Sequence, residues 1–115
     1  MELNEWADRI DAVSRGYADY YDIDRTVEWS LLKLTEELGE LTQAHLTVTG
    51  QSRPREGDAA EQEAKLAVEL ADVLGMALVY ARMRGIDIEQ ALAAKWLHFE
   101  AFHRERGFLP AEPEG

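Results

Sequence analysis

From Leu3 to about Tyr20 the apolar positions Trp6, Ile10, Val13 and Tyr17 recur three and four residues apart, the spacing of one helix face. A turn at Tyr21-Asp22-Ile23 ends this first helix, and Asp24 is placed to cap the second, which runs to Val48 or Thr49 and stops at Gly50. Along the second helix Val27, Leu31, Leu34, Leu38, Leu41 and Val48 form a single stripe, so this segment buries one face and presents the other. The third segment differs. Asp58 caps it, a polar turn Glu61-Gln62-Glu63 opens it, and from Leu66 to Met83 apolar residues occupy nearly every side before it closes at Arg84-Gly85. A helix apolar all round predicts burial. Asp87, with Gln90 three residues on, reads as a capping box for a last helix from Ile88 to about Arg106, closed by Gly107. The tail from Phe108 to Pro113 is expected to be irregular. So is the stretch 51–57, which holds Pro54 and Gly57 but no apolar side chain and has a natural place near a substrate entrance. No segment alternates as a strand does. The pattern predicts an all-α fold in one domain.

Polar residues interrupt this pattern in two places. At roughly 100° per residue, Glu36, Glu37 and Glu40 share an arc of about 100° on the second helix, rotated about 120° from its apolar stripe. On the third helix Glu69 and Asp72 lie about 60° apart and are almost the only charges before Arg82. An ionised carboxylate in a core costs several kcal/mol unless it is paired or bound to a metal, so something positive is expected to meet this pair. Two helices facing each other through these clusters gather several oxygen ligands around one point. Hard oxygen donors without His or Cys suit Mg²⁺, with Mn²⁺ as the other fitting ion.

Composition narrows the functional classes. With 12 Lys and Arg against 23 Asp and Glu and a net charge of −11, the chain is a poor ligand for nucleic-acid backbones. Nucleotides stay within reach, because a carboxylate-bound divalent ion reverses the local charge. There is no cysteine, hence neither disulfide nor thiolate site. The acidic start Met1-Glu2-Leu3-Asn4-Glu5 is unlike a signal peptide, and no run of about twenty apolar residues offers a membrane span. A cytoplasmic location is expected by default. At 115 residues the chain builds only a modest core, and a helix apolar on every side has more surface than three neighbours can cover, so a homo-oligomer is expected.

The two acidic motifs in this order, Glu36-Glu37-x-x-Glu40 and then Glu69-x-x-Asp72, resemble the MazG-like family of all-α nucleoside triphosphate pyrophosphohydrolases, over about Trp29 to Lys95. The resemblance implies a four- to five-helix bundle assembled as a homodimer or a dimer of dimers, with the pocket near the subunit boundary. It implies Glu37, Glu40, Glu69 and Asp72 as metal ligands, with Glu36 binding a second ion or orienting a water. It also implies a Mg²⁺-dependent conversion of a nucleoside triphosphate to the monophosphate and pyrophosphate, in a house-cleaning role, with Glu36 or Glu37 accepting the proton of the attacking water.

Around this cluster each candidate carries two readings. Lys33 and Lys65 stand four residues before Glu37 and Glu69, either as ion pairs along the helix or as cations reaching the substrate's phosphates. Trp29 stacks on a base or packs in a core or interface; Tyr80 lines a pocket or is a core tyrosine. Lys95 falls near the family's phosphate-contacting basic residue, while Arg82 reads as a helix-end charge. Glu100-x-x-His103 occurs once, whereas a di-iron bundle uses that pair twice, and His45 and His98 read as structural. No nucleophile motif or glycine-rich phosphate loop is present, which leaves metal-activated water. Two other activities fit the same residues: hydrolysis of phosphoribosyl-ATP, and non-catalytic binding of a metal or partner.

Overall fold

The computed structural model describes residues 1–111, and among them every regular element is helical. Helix α1 spans Leu3–Tyr20, α2 Val27–Val48, α3 Ala59–Met83 and α4 Ile88–Lys95; a 3₁₀ turn at Leu97–Phe99 leads into α5, Glu100–Glu105. Glu112 and Pro113 of the expected irregular tail lie outside the described residues.

Local chemistry explains most of these boundaries. Asp58 accepts from the Glu61 N–H at 2.9 Å and Asp87 from the Gln90 N–H at 3.1 Å, each satisfying one of the orphan donors of a first turn. The cap of α2 is Thr26, not the expected Asp24: its hydroxyl accepts from the Trp29 N–H at 3.0 Å, which starts the helix two residues later. Helix α1 ends in a left-handed residue that is not glycine. Asp22 has φ 54°, and the Ile23 N–H reaches back to the Ala18 carbonyl at 2.8 Å in a Schellman closure. Aspartate is among the few side chains that tolerate this conformation.

The expected last helix is broken. Trp96 leaves the regular path at φ −106°, and Leu97–Phe99 tightens into the 3₁₀ turn. Helix α4 packs on α1, but α5 contacts little beyond the 3₁₀ turn before it. The run Trp96-Leu97-His98-Phe99 therefore lacks a neighbour that would impose a straight helix on residues of middling propensity.

Helices α2 and α3 form the main packing unit. Ala44 and Thr47 face the start of α3, while Trp29 and Lys33 face Asp72 and Met76, so the two run antiparallel. On α2 one row of buried and half-buried positions is Val27, Ser30, Leu34, Glu37, Leu41, Ala44 and Val48; on α3 a matching row is Gln62, Leu66, Glu69, Val73, Met76, Tyr80 and Met83. Both rows repeat every seven residues in steps of three and four, the spacing of a coiled-coil seam. Four of the six positions of the stripe expected from hydrophobicity, Val27, Leu34, Leu41 and Val48, thus lie on the seam. Leu31 and Leu38 stand off the seam, half exposed at 48% and 53%, and their places are taken by Ser30, Glu37 and Ala44.

Helix α1 lies along the other side of α3, with Ala7, Ala18, Leu78, Val79 and Ala81 buried in the chain's small core. Alanine at these positions lets the backbones approach closely. Arg82 ties the end of α3 to α1 through Asp8 at 2.8 Å and the Asn4 carbonyl at 3.2 Å, and Asn4 in turn donates to Asp87 at 3.0 Å. Arg25, paired with Asp11 at 2.8 Å, fastens the α1–α2 turn. The stripe on α1 and the all-round burial of α3 are corrected: Trp6, Val13 and Tyr17, and Val68, Leu70 and Leu74, are all largely exposed in the single chain. The core is built mainly on alanines with Leu78 and Val79, and the larger side chains just named are left outside it.

Candidate metal centre

Two of the seam positions just described are glutamates. Glu37 on α2 and Glu69 on α3 point into the helical interface where coiled-coil packing calls for apolar side chains, and Glu69 is only 7% exposed. Glu40, one turn after Glu37, adds a third carboxylate from the surface. One oxygen of each of the three lies within 4.8 Å of the others. One oxygen of Glu37 and one of Glu69, Oε2 in each, are buried without a hydrogen-bond partner. A buried acceptor left unpaired costs about 1–3 kcal/mol, and more when charged, so this layer destabilises the metal-free chain. A donor set of carboxylate oxygens alone fits a hard divalent cation, which would satisfy both orphaned atoms.

The electrostatics agree with that reading. Burial, then the neighbouring Glu40 charge and the hydrogen bond shared with it, then Asp72, push the Glu37 carboxyl up to about 7, against the opposing pull of Lys33. Lys33 is itself partly buried, which lowers its affinity for a proton. The hydrogen bond to Glu36 and the charges of Glu36 and Glu37 outweigh this and leave it raised.

The other expected residues divide. Asp72 is exposed and lies beside Glu37 rather than in the three-carboxylate group; the expectation of a buried Glu69/Asp72 pair holds for Glu69 alone. Glu36 faces outward, with a side chain 55% exposed that accepts from Lys33 Nζ at 3.2 Å. Lys33 also lies 4.0 Å from Glu37, and Lys65 lies 3.5 Å from Glu69, so both lysines are helix-face ion pairs in this state.

Clefts open on both sides of the acidic layer. One, of about 440 Å³, is bounded by Glu40 and Glu69, by Lys65, and by Arg55 and Glu56 of the linker. The other, of about 460 Å³, lies between α1, α2 and α3 and holds Trp29, Lys33, Glu37 and Asp72. Both have the size of small-molecule sites. Half-buried Tyr80 and exposed Lys95 line neither. Sequence reasoning missed Tyr17, which lines the second cleft from α1, and Arg55. Tyr17 carried a signal, the three-and-four spacing of its stripe, read there as core. Arg55 carried none, since a linker's path is set by its two ends.

A family model for the MazG nucleotide pyrophosphohydrolase domain matches residues 25–98. Comparison with curated proteins and with solved structures gives no match. The matched stretch runs through α2, the linker, α3 and α4, and it contains all the carboxylates of the acidic layer. With that match covering more than half its length, the chain belongs to the MazG nucleotide pyrophosphohydrolase family.

Proposed function

We propose that this protein is a Mg²⁺-dependent nucleoside triphosphate pyrophosphohydrolase that clears unwanted nucleotides from the cytoplasmic pool. The observation that carries the reading is the pair of buried, unpartnered carboxylate oxygens on Glu37 and Glu69, set in a seam whose other positions are mostly apolar. Glu37, Glu40 and Glu69 would hold the ion, and Asp72, in the adjoining cleft, would be the fourth carboxylate. When bound, Mg²⁺ supplies positive charge for the phosphate oxygens and acidifies the attacking water.

The chain's own residues do the rest. Water oxygen bonds to the α-phosphorus, the bridging P–O bond to the β-phosphate breaks, and its electron pair leaves on pyrophosphate. The proton lost by water goes to a carboxylate, Glu36 or Glu37, of which Glu36 is the more accessible. Lys33 and Lys65 lie at the edges of the layer, where an entering polyphosphate competes for their ion pairs with glutamate. Trp29, with its side chain in the cleft beside Glu37, offers a flat apolar wall to the base. Among the described residues no helix is long and apolar enough to cross a membrane.

The working unit of the proposal is a homo-oligomer, a dimer or a dimer of dimers. The chain exposes 8741 Å², whereas a compact 13.0 kDa monomer exposes about 6300 Å². The surplus, roughly 2400 Å² per chain, is in the range that obligate interfaces bury. Its radius of gyration of 18.1 Å likewise exceeds the roughly 13 Å of a compact chain of this length.

The test is a panel of normal and modified nucleoside triphosphates, with phosphoribosyl-ATP alongside, each incubated with Mg²⁺ and scored for pyrophosphate. Monophosphate and pyrophosphate from a triphosphate are expected, and chelation abolishes them. Turnover of phosphoribosyl-ATP alone would reassign the substrate. Pyrophosphate from none of them would leave a metal- or partner-binding protein.

A further inference from the structure

The clefts on the two sides of the acidic layer differ in chemistry. Between α1, α2 and α3 the walls include Tyr17, Trp29, Met76 and Val79; on the linker side they include Gln43, Thr47, Arg55, Gln62 and Lys65. A nucleotide is asymmetric in the same sense, with an aromatic base at one end and a polyanion at the other. Resting on the pyrophosphohydrolase reading above, we propose that the linker-side cleft receives the leaving pyrophosphate and that Arg55 is the side chain that grips it. The substrate then lies across the acidic layer with its base toward Trp29 and its terminal phosphates toward the linker.

Arg55 differs from the other cations at the site. Lys33 is committed to Glu36 and Glu37, and Lys65 to Glu69, whereas Arg55 takes part in none of the ion pairs among the described residues. Its place over the cleft is fixed through its own backbone. Gln62 Nε2 on α3 donates to the Arg55 carbonyl at 3.4 Å and to the Gly57 carbonyl at 3.2 Å, drawing the linker down onto the helix start. Gly57, at φ 99°, makes the turn that few other residues adopt at low cost. The guanidinium is a planar fork of donors that matches two phosphate oxygens at once, unlike the point charge of Lys65. Glu40, Glu56, Glu61 and Glu69 share this cleft, so a bare polyanion is repelled there and pyrophosphate is held as its magnesium complex.

Product inhibition reads this directly. Turnover with Mg²⁺ is measured against added pyrophosphate for the wild type, Arg55→Ala, Arg55→Lys and Arg53→Ala. Arg53 is in the same linker and carries the same charge but does not line the cleft. Arg55→Ala is expected to weaken inhibition by pyrophosphate about tenfold or more, the loss typical of a hydrogen bond to a charged group. Arg55→Lys recovers part of it, Arg53→Ala stays within about twofold by the same reasoning, and inhibition by the nucleoside monophosphate is unchanged throughout. Equal pyrophosphate inhibition in wild type and Arg55→Ala overturns the proposal, and so does an equal loss in Arg53→Ala, which would make the effect one of overall charge. Failure of the underlying reading looks different, since the wild type would then release no pyrophosphate. Calorimetric titration with magnesium pyrophosphate still decides the matter in that case: equal affinity in wild type and Arg55→Ala refutes the assignment, and a tenfold difference upholds it.

Discussion

Replacing Glu37 with Gln should stabilise the metal-free protein at alkaline pH while removing the gain it draws from metal. In the folded chain this carboxyl is pushed from 4.5 up to about 7 by burial and by its acidic neighbours. A group whose folded pKa lies above its unfolded value contributes stability that is complete below the unfolded pKa. That contribution is lost as pH rises through the folded one, here between about 4.5 and 7. A shift of this size corresponds to about 3–4 kcal/mol at most, and the open cleft that the side chain lines reduces it to on the order of 2 kcal/mol. Glutamine keeps the shape and stays neutral at every pH, so Glu37→Gln should match the wild type near pH 4.5 and exceed it by about 2 kcal/mol at pH 8. Urea unfolding with a chelator present, at one protein concentration and several pH values, measures both curves. Saturating Mg²⁺ should reverse the order, since a ligand at 100 times its Kd adds about 2.7 kcal/mol to the state that binds it. A variant less stable than the wild type at pH 8 without metal would refute the reasoning, because it would mean that the ionised carboxylate is well satisfied inside the seam.

Two further outcomes follow from the fold. Asp58→Ala removes the side-chain acceptor for the Glu61 N–H and should cost about 1 kcal/mol in urea unfolding, without altering helix content at 20 °C or thereabouts. Leu74→Glu, at a position 58% exposed on α3, should leave the single chain folded but shift light scattering toward a 13.0 kDa species; an unchanged assembly would mean that this face is not the interface.

Most helix limits, though not the start of α2 or the break at Trp96, and the acidic motifs were legible in the sequence because they depend on local rules. Asp58 and Asp87 announce their helices by capping chemistry, and Glu69 stands out as a charge in an apolar run. What escaped depends on which face meets which neighbour. Leu31 and Leu38 are as hydrophobic as Leu34 and Leu41, and only the register of α2 against α3 puts Ser30 and Glu37 inside in their place. The same register separates Glu69 from Asp72, one buried and one exposed, although they sit one turn apart. The break at Trp96 could not be read from the periodic pattern, because it reflects a missing neighbour rather than a helix-stopping residue. Arg55 came to the site through a linker held at its far end by Gln62, whose side chain donates to the Arg55 and Gly57 carbonyls, a contact that no periodic pattern announces.

Binding of the divalent ion at the acidic layer of the α2–α3 seam is the step on which the proposed chemistry depends. Manganese titration followed by the free-ion electron paramagnetic resonance signal tests this without relying on turnover. The wild type should take up Mn²⁺, Glu37→Gln and Glu69→Gln should each bind at least about tenfold more weakly, a loss of about 1.4 kcal/mol or more, and Lys95→Gln should bind as the wild type does. Unchanged affinity in Glu69→Gln, the buried carboxylate with an unpartnered oxygen, would mean that the ion binds elsewhere.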